Sequence, residues 1–366
     1  MSIPSLFGIT QSNRNFADPY YWGKNQFNSA FPVALACYMN SQAKPLVYIK
    51  YLDGQKTEIT DIDAAEVFGS TAGKEDLYFS FESRYDRFKD LVHDDLPPID
   101  LVVCQSTRDR QIKPLEIKLT TLPDNTTEAL TEDKYGAELV IRSATTRYMA
   151  LSMVQSLRAA QKQGALSDVR SMFDPAFAKV RNWDSKVEML LQARDALAGL
   201  EAFLETFRDL QTPLLMQPIW KTVGKTPVLA DNCLDIFVWS DFALTHLFME
   251  SARNSLDGTN ISRQLRAALR LARFLYESAQ GTKVYQQPIY DGMTYDNQND
   301  KEFAISGTRS RELMACARLA KPAIARDEIQ HIILGGGQNY LGPERRYEPD
   351  FSDSIRYNFN HAQVLH

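Results

Sequence analysis

Histidine is scarce in this chain of 366 residues, and the five present show no zinc-ligand spacing and no histidine-centred nuclease motif. Cysteine is equally sparse. Cys37, Cys104, Cys233 and Cys316 lie far apart with no Cys-x-x-Cys pair, which excludes a disulfide framework or a zinc ribbon. Cys37, Cys104 and Cys316 sit in apolar surroundings that suit buried free thiols, and a reducing cytoplasm is the expected location. No stretch approaches the roughly twenty apolar residues of a membrane helix. Met1-Ser2-Ile3-Pro4 has neither a basic start nor an apolar core, so the protein is expected to be neither exported nor embedded. The Asn125-Thr126-Thr127 sequon then reads as a polar loop. A phosphate-cradling glycine loop is missing as well. Gly224-Lys225-Thr226 ends like a Walker A motif, but Ile219 stands where its first glycine belongs and Pro227 would obstruct the following helix.

The chain also lacks an excess of positive charge. Its 41 Lys and Arg against 46 Asp and Glu leave a net charge of -5. That excludes indiscriminate coating of nucleic acid, although an acidic protein can still gather its cations along one cleft. The apolar fraction of 44% and charged fraction of 24% are those of a soluble globular protein. At this length, one large mixed domain or a core with a helical second lobe is expected.

What is present is concentrated in Leu96 to Thr120. Asp100 opens the apolar run Leu101, Val102, Val103, Cys104, bounded by Pro97-Pro98 and a polar turn from Ser106 to Arg110, and this predicts a buried strand. Beyond the turn, Leu115, Ile117 and Leu119 alternate with Glu116, Lys118 and Thr120, the period of a half-buried strand. A hairpin would set Glu116 and Lys118 on one side, beside Asp100 at the start of the preceding strand. Two carboxylates of this kind suit Mg²⁺, which takes few protein ligands and keeps several waters. Lys118 would orient or help deprotonate the attacking water and stabilise charge developing on phosphorus. Glu-x-Lys on a strand is also a common solvated ion pair, and only its setting beside Asp100 favours the catalytic role.

An acid at the mouth of an apolar strand, one turn and then the alternating strand resemble the PD-(D/E)xK nuclease core, with Ile99-Asp100 in place of the usual Pro-Asp. Further blocks extend the resemblance: Pro4-Ser5-Leu6-Phe7-Gly8-Ile9, Ser12-Asn13-Arg14, Trp22-Gly23-Lys24-Asn25-Gln26-Phe27-Asn28, Glu116-Ile117-Lys118-Leu119 running into Leu122-Pro123-Asp124-Asn125, Tyr135-Gly136, and the tail from Leu334 to Arg346. Together they resemble the HindVP and HgiDI type II restriction endonucleases. The resemblance implies an enzyme cutting duplex DNA at GRCGYC with Mg²⁺, and a companion DNA methyltransferase. A palindromic target has two equivalent half-sites, so a homodimer is expected.

The rest of the chain is read around that core. Phe27, Phe31, Leu35 and Tyr38 predict a helical face within Tyr20 to Met39, started or kinked by Pro32. Val47 to Leu52 before Asp53-Gly54 predicts a strand and turn. Leu77, Phe81, Tyr85, Phe88 and Val92 recur at helical spacing, leaving Glu82 beside the stripe as either an extra metal ligand or a surface residue. Leu122 to Lys134 is polar and turn-rich. Ala137 to Ile141 reads as a strand ending at Arg142, a phosphate contact or a capping residue, and Thr145 to Gln161 as a covering helix.

Beyond Gly164 the pattern is helical. Ser185 and Glu188 form a capping box ahead of a helix that Thr212-Pro213 stops. From Ser262 to Ser278, Arg263, Arg266, Arg270 and Arg273 share one face opposite Leu265, Leu269, Ala272 and Tyr276, either a phosphate-tracking stripe or a solvated face. Ser306 to Arg311, and Gln338 with Asn339, offer groups suited to base edges or belong to ordinary loops.

The expected architecture is thus α/β. Residues 1–163 form a PD-(D/E)xK core, a central mixed sheet flanked by helices, with N-terminal helical elements. Residues 164–366 form a mainly helical DNA-binding and dimerisation portion, whether or not it is a separate domain. The competing possibility is a non-catalytic DNA-binding or scaffold protein that keeps the nuclease-like sheet.

Overall fold

The structure, a computed structural model, describes residues 46–52, 56–62, 77–105, 110–120, 141–160, 164–179, 186–210, 214–222, 229–238, 241–257, 261–291, 301–303, 325–327 and 346–347. The expected helix within Tyr20 to Met39, the loop from Leu122 to Lys134, Ser185, the Gly224-Lys225-Thr226 segment, Ser306 to Arg311, and Gln338 with Asn339 lie outside the described residues.

Two larger sheets carry the α/β fold. β1 (Leu46–Leu52) is the strand expected before Asp53-Gly54, and it pairs antiparallel with β2 (Lys56–Ile62), a strand the sequence did not signal. β3 (Leu77–Ser83), β4 (Ile99–Gln105) and β5 (Arg110–Leu115) form the body of a four-stranded sheet in the order β11-β3-β4-β5, where β11 is Arg346–Tyr347. β6 (Ile117–Thr120) joins the other sheet, which runs β2-β1-β8-β9-β6 with β8 (Leu214–Thr222) and β9 (Leu229–Val238). A third, two-stranded pairing links β7 (Ile141–Arg142) to β10 (Lys301–Phe303).

Three of these elements depart from sequence expectation. Asp76 to Val92 is not a helix: β3 occupies Leu77–Ser83 and a short 3-10 helix spans Asp86–Asp90. Leu77, Phe79 and Phe81 also fit the period of two, and seven residues of pairing with β4 decide between the periods. Tyr85, Phe88 and Val92 are core residues as expected, but from other elements. The portion after Gly164 is not all helix, because β8 and β9 lie within it and complete a sheet begun by β1 and β2. The strand expected over Leu115 to Thr120 is broken at Glu116: β5 pairs with β4, while β6 pairs with β9. Pro114, which has no N–H to donate, ends near this switch.

β4 is the buried strand its apolar run predicts, with Leu101, Val102, Val103 and the free thiol of Cys104 all enclosed. Helices cover it. α1 (Ser143–Ala159) matches the expected covering helix and buries Tyr148, Met149, Leu151, Met153, Val154 and Leu157. α2 (Ala165–Phe177), α3 (Lys186–Thr206) and α4 (Asp241–Arg253) surround α5 (Arg263–Ser278), whose Leu265, Leu269, Ala272 and Tyr276 face inward as expected. Ser262 caps α5 by accepting the Leu265 N–H at 3.1 Å. A short α6 (Gln286–Asp291) follows. None of the described helices is long and apolar enough to cross a membrane.

The segment leading into β4 is tied to the start of α6. Val92 bridges Val284, His93 and Leu91 exchange backbone hydrogen bonds with Val284, and Gln286 donates to the Asp95 carbonyl at 2.9 Å. Elsewhere α2 and α3 touch at Gly199, where an added Cβ would lie 2.7 Å from both the Met172 carbonyl oxygen and the Phe173 ring. Gly199→Ala is expected to lower unfolding stability by about 1–3 kcal/mol, the usual cost of overpacking. Urea unfolding checks this, and an unchanged midpoint would show that the two helices separate freely.

Candidate active site

Asp100 is the second residue of β4, and the register Leu101↔Leu115 continues to set it against the chain at Glu116. The Ile117 N–H donates to Asp100 Oδ2 at 2.7 Å. Asp100 and Glu116 are therefore neighbours, as the hairpin predicts. The cause differs from a simple ladder: the contact falls where the chain leaves one sheet for the other, and a side chain takes the amide that a strand partner would otherwise accept. The Glu116 carboxylate is buried, and the Thr145 hydroxyl donates to its Oε1 at 3.1 Å. Lys118 lies two residues on in β6, in register with Phe237, while Glu82 lies near the end of β3 and Arg142 in β7, opposite Lys301.

Among the described residues no group of three or more His, Cys, Asp and Glu side chains is placed to hold a metal ion. The donor set at this point is two carboxylates. That fits a hard cation which keeps much of its water shell better than it fits zinc, whose sites use nitrogen and sulfur.

Around Glu116 lie residues that the sequence reading passed over. Thr145, Tyr148 and Ser152 follow one face of α1, three and four residues apart. Thr145 holds Glu116, the Tyr148 hydroxyl donates to the Pro114 carbonyl at 3.1 Å, and Ser152 is hydrogen-bonded to Asp241 at the start of α4. Asp241 is fully enclosed, and burial pushes its carboxyl up to about 8 even though Ser152 and the Lys113 ammonium favour the charged form. Burial draws Lys113 below the ordinary lysine range, opposed by Asp241. Tyr148 is raised by burial, and then by the charges of Asp241 and Glu116. The signals were present: Lys113 lies three residues before Glu116, and Asp241 is an acid in the first turn of a helix.

The arginines of α5 do not form an open stripe. Arg263 is exposed, but Arg266 and Arg270 are buried. Arg270 donates to the Tyr290 carbonyl, and its guanidinium lies over the Tyr290 ring at 5.5 Å, with Arg147 over the same ring at 4.8 Å. Arg273 is half-buried, ion-paired to Glu277 and within 5.6 Å of the Phe177 ring centre. Long alkyl stems let arginine pass from a solvated face into a packed one. Arg270 and Arg273 thus bind α5 to its neighbours.

A family model described as HindVP restriction endonuclease matches residues 22–355. The chain is 39% identical over 348 residues to the type II restriction enzyme HgiDI of Herpetosiphon aurantiacus, a match covering 95% of both chains. It is 36% identical over 357 residues to the probable type II restriction enzyme HindVP of Haemophilus influenzae, covering 97% of this chain and 93% of the relative. The chain belongs to the HindVP restriction endonuclease family. No solved structure matches it. The family match runs through both sheets and the helical layer around α5, so the Asp100–Glu116 junction lies inside the matched span of this HindVP-type chain.

Asp241 carries a stability consequence. With its native carboxyl up at about 8 and an unfolded value near 4, the folded state binds more protons between those limits, so this group's contribution falls as pH rises through that window. The melting temperature of Asp241→Asn relative to the native protein is therefore expected to rise by several degrees between pH 5 and pH 8. A difference independent of pH would show that the carboxyl titrates normally.

Proposed function

We propose that this restriction endonuclease hydrolyses phosphodiester bonds of duplex DNA at the palindrome GRCGYC with Mg²⁺ held by Asp100 and Glu116. The observation that carries the proposal is the hydrogen bond from the Ile117 N–H to Asp100 Oδ2, because it ties Asp100 to the chain directly beside Glu116. The pair is partly sheltered and backed by the sheet core, which strengthens electrostatic interactions there. Bound Mg²⁺ supplies Lewis-acid stabilisation of the phosphoryl oxygens and a more acidic water.

The protein groups do the positioning. Asp100 and Glu116 hold the cation, with Glu82 as a further ligand from β3, and Thr145 fixes the Glu116 rotamer. Lys118 orients the attacking water and places positive charge where negative charge grows on phosphorus. Arg142 and the exposed Arg263 contact backbone phosphates, while Gln338 and Asn339 read adenine edges. A homodimer sets two such centres on opposite strands. The enzyme works in the cytoplasm, where a companion methyltransferase protects the host's own sites.

Plasmid DNA with Mg²⁺ is expected to yield discrete fragments, and Asp100→Ala or Glu116→Ala to lower the rate by orders of magnitude while DNA binding persists. Lys118→Ala is expected to separate a lost chemical step from intact binding. Cleavage by Asp100→Ala at the native rate would sink the site assignment, and no cleavage with any divalent metal would favour a DNA-binding scaffold. Sedimentation with a short duplex bearing one site is expected to give two chains per duplex. One chain per duplex with nicked product would rule out the symmetric dimer.

A further inference from the structure

The chain around Glu116 is braced from two directions. Thr145 reaches it from α1. Two turns further along the same face of α1, Ser152 is hydrogen-bonded to Asp241, which begins α4. The β6–β9 register brings Asp241 there: Ile117 pairs with Val238, and α4 starts three residues later. Lys113, three residues before Glu116 in β5, faces Asp241 from the other sheet. Asp241, Lys113 and Ser152 thus tie α4, β5 and α1 together where the two sheets part.

This arrangement is costly as a packing device. Asp241 is 2% exposed, and its Oδ1 has no hydrogen-bond partner among the described residues. A buried acceptor without a partner costs on the order of 1–3 kcal/mol. An apolar residue of similar volume would commonly pack such a position at no loss. Glu116 also lies close enough for its charge to oppose ionisation of Asp241, and both acids raise the Tyr148 phenol. A cost of this kind beside a pair of carboxylates is expected where a site must be held ready.

We propose that Asp241 is a positioning residue for the reaction centre: with Lys113 and Ser152 it fixes the Glu116 segment so that Asp100 and Glu116 present a preformed cation site. This rests on the assignment of Asp100 and Glu116 as the cation-holding pair. Asp241 acts through Glu116, from within the core, and does not meet the DNA. Its removal leaves DNA affinity alone and loosens the cation.

The test uses the full chain, with Ca²⁺ binding measured by calorimetry and cleavage kinetics measured on a duplex bearing one site. For folded Asp241→Ala, the expected result is a Ca²⁺ dissociation constant raised about tenfold or more and a lowered kcat at subsaturating Mg²⁺. KM for the duplex is expected to stay within about twofold. Asp241→Asn, which keeps the shape and a polar group, is expected to restore cation affinity to within about threefold of native. Where Asp241→Ala does not fold, Lys113→Met carries the same expectation. Unchanged Ca²⁺ affinity and kcat in a folded Asp241→Ala or Lys113→Met protein would overturn the proposal while leaving the Asp100–Glu116 assignment standing. Native protein that neither binds Ca²⁺ nor cleaves would instead remove that assignment, and this proposal with it.

Discussion

The hydrogen bond between the Ile117 amide and the Asp100 carboxylate is the constraint on which the described architecture turns. At Glu116 the chain stops pairing with β4 and begins pairing with β9, so one peptide unit must be satisfied outside both ladders. Asp100 satisfies it. An apolar residue at 100 would leave a buried N–H without that acceptor, at a cost on the order of 1–3 kcal/mol. The two sheets therefore meet at a point where acidic side chains are structurally useful, and this brings Asp100 and Glu116 together before any cation is considered.

The helical layer supports that point from behind. α5 is enclosed by the other large helices, with Arg270 spent on the Tyr290 carbonyl and ring and Arg273 on the α2 contact. α1 carries two faces at once: Met149, Leu151 and Val154 lie in the core, while Thr145, Tyr148 and Ser152 reach Glu116, Pro114 and Asp241. A helix used this way transmits its position to the site with little slack, because packed interiors yield poorly to small displacements. The exchange between Val284 and the residues just before β4 extends the same rigidity to the strand bearing Asp100.

Much of this was legible in the sequence. The continuous apolar run of β4, the α1 stripe, the helix from Ser262 to Ser278, and the strand before Asp53-Gly54 each carried a single dominant signal. Three features did not. Leu77 to Val92 satisfied two periods at once, and only the long-range partner β4 favoured the strand. The break at Glu116 left the alternation of Leu115, Ile117 and Leu119 intact, because alternation records faces and not which neighbour a strand pairs with. Arg266 and Arg270 fitted an open stripe, phosphate-tracking or solvated, since helical spacing cannot show that other elements cover both of them. The meeting of Asp241 with Lys113 and Glu116 has a related cause: each residue carried a signal of its own, but Asp241 reaches them only once β9 has delivered α4.

Membership of the HindVP restriction endonuclease family supplies the biological frame, and the meeting of the sheets supplies a physical location for the chemistry. The most direct test is to locate the cation itself by anomalous diffraction from crystals of the full chain grown with Mn²⁺ and a duplex bearing the site. The account predicts a peak at bonding distance from carboxylate oxygens of both Asp100 and Glu116, with the Ile117 amide still on Asp100. A peak held by other residues, with that pair left empty beside bound DNA, would contradict it.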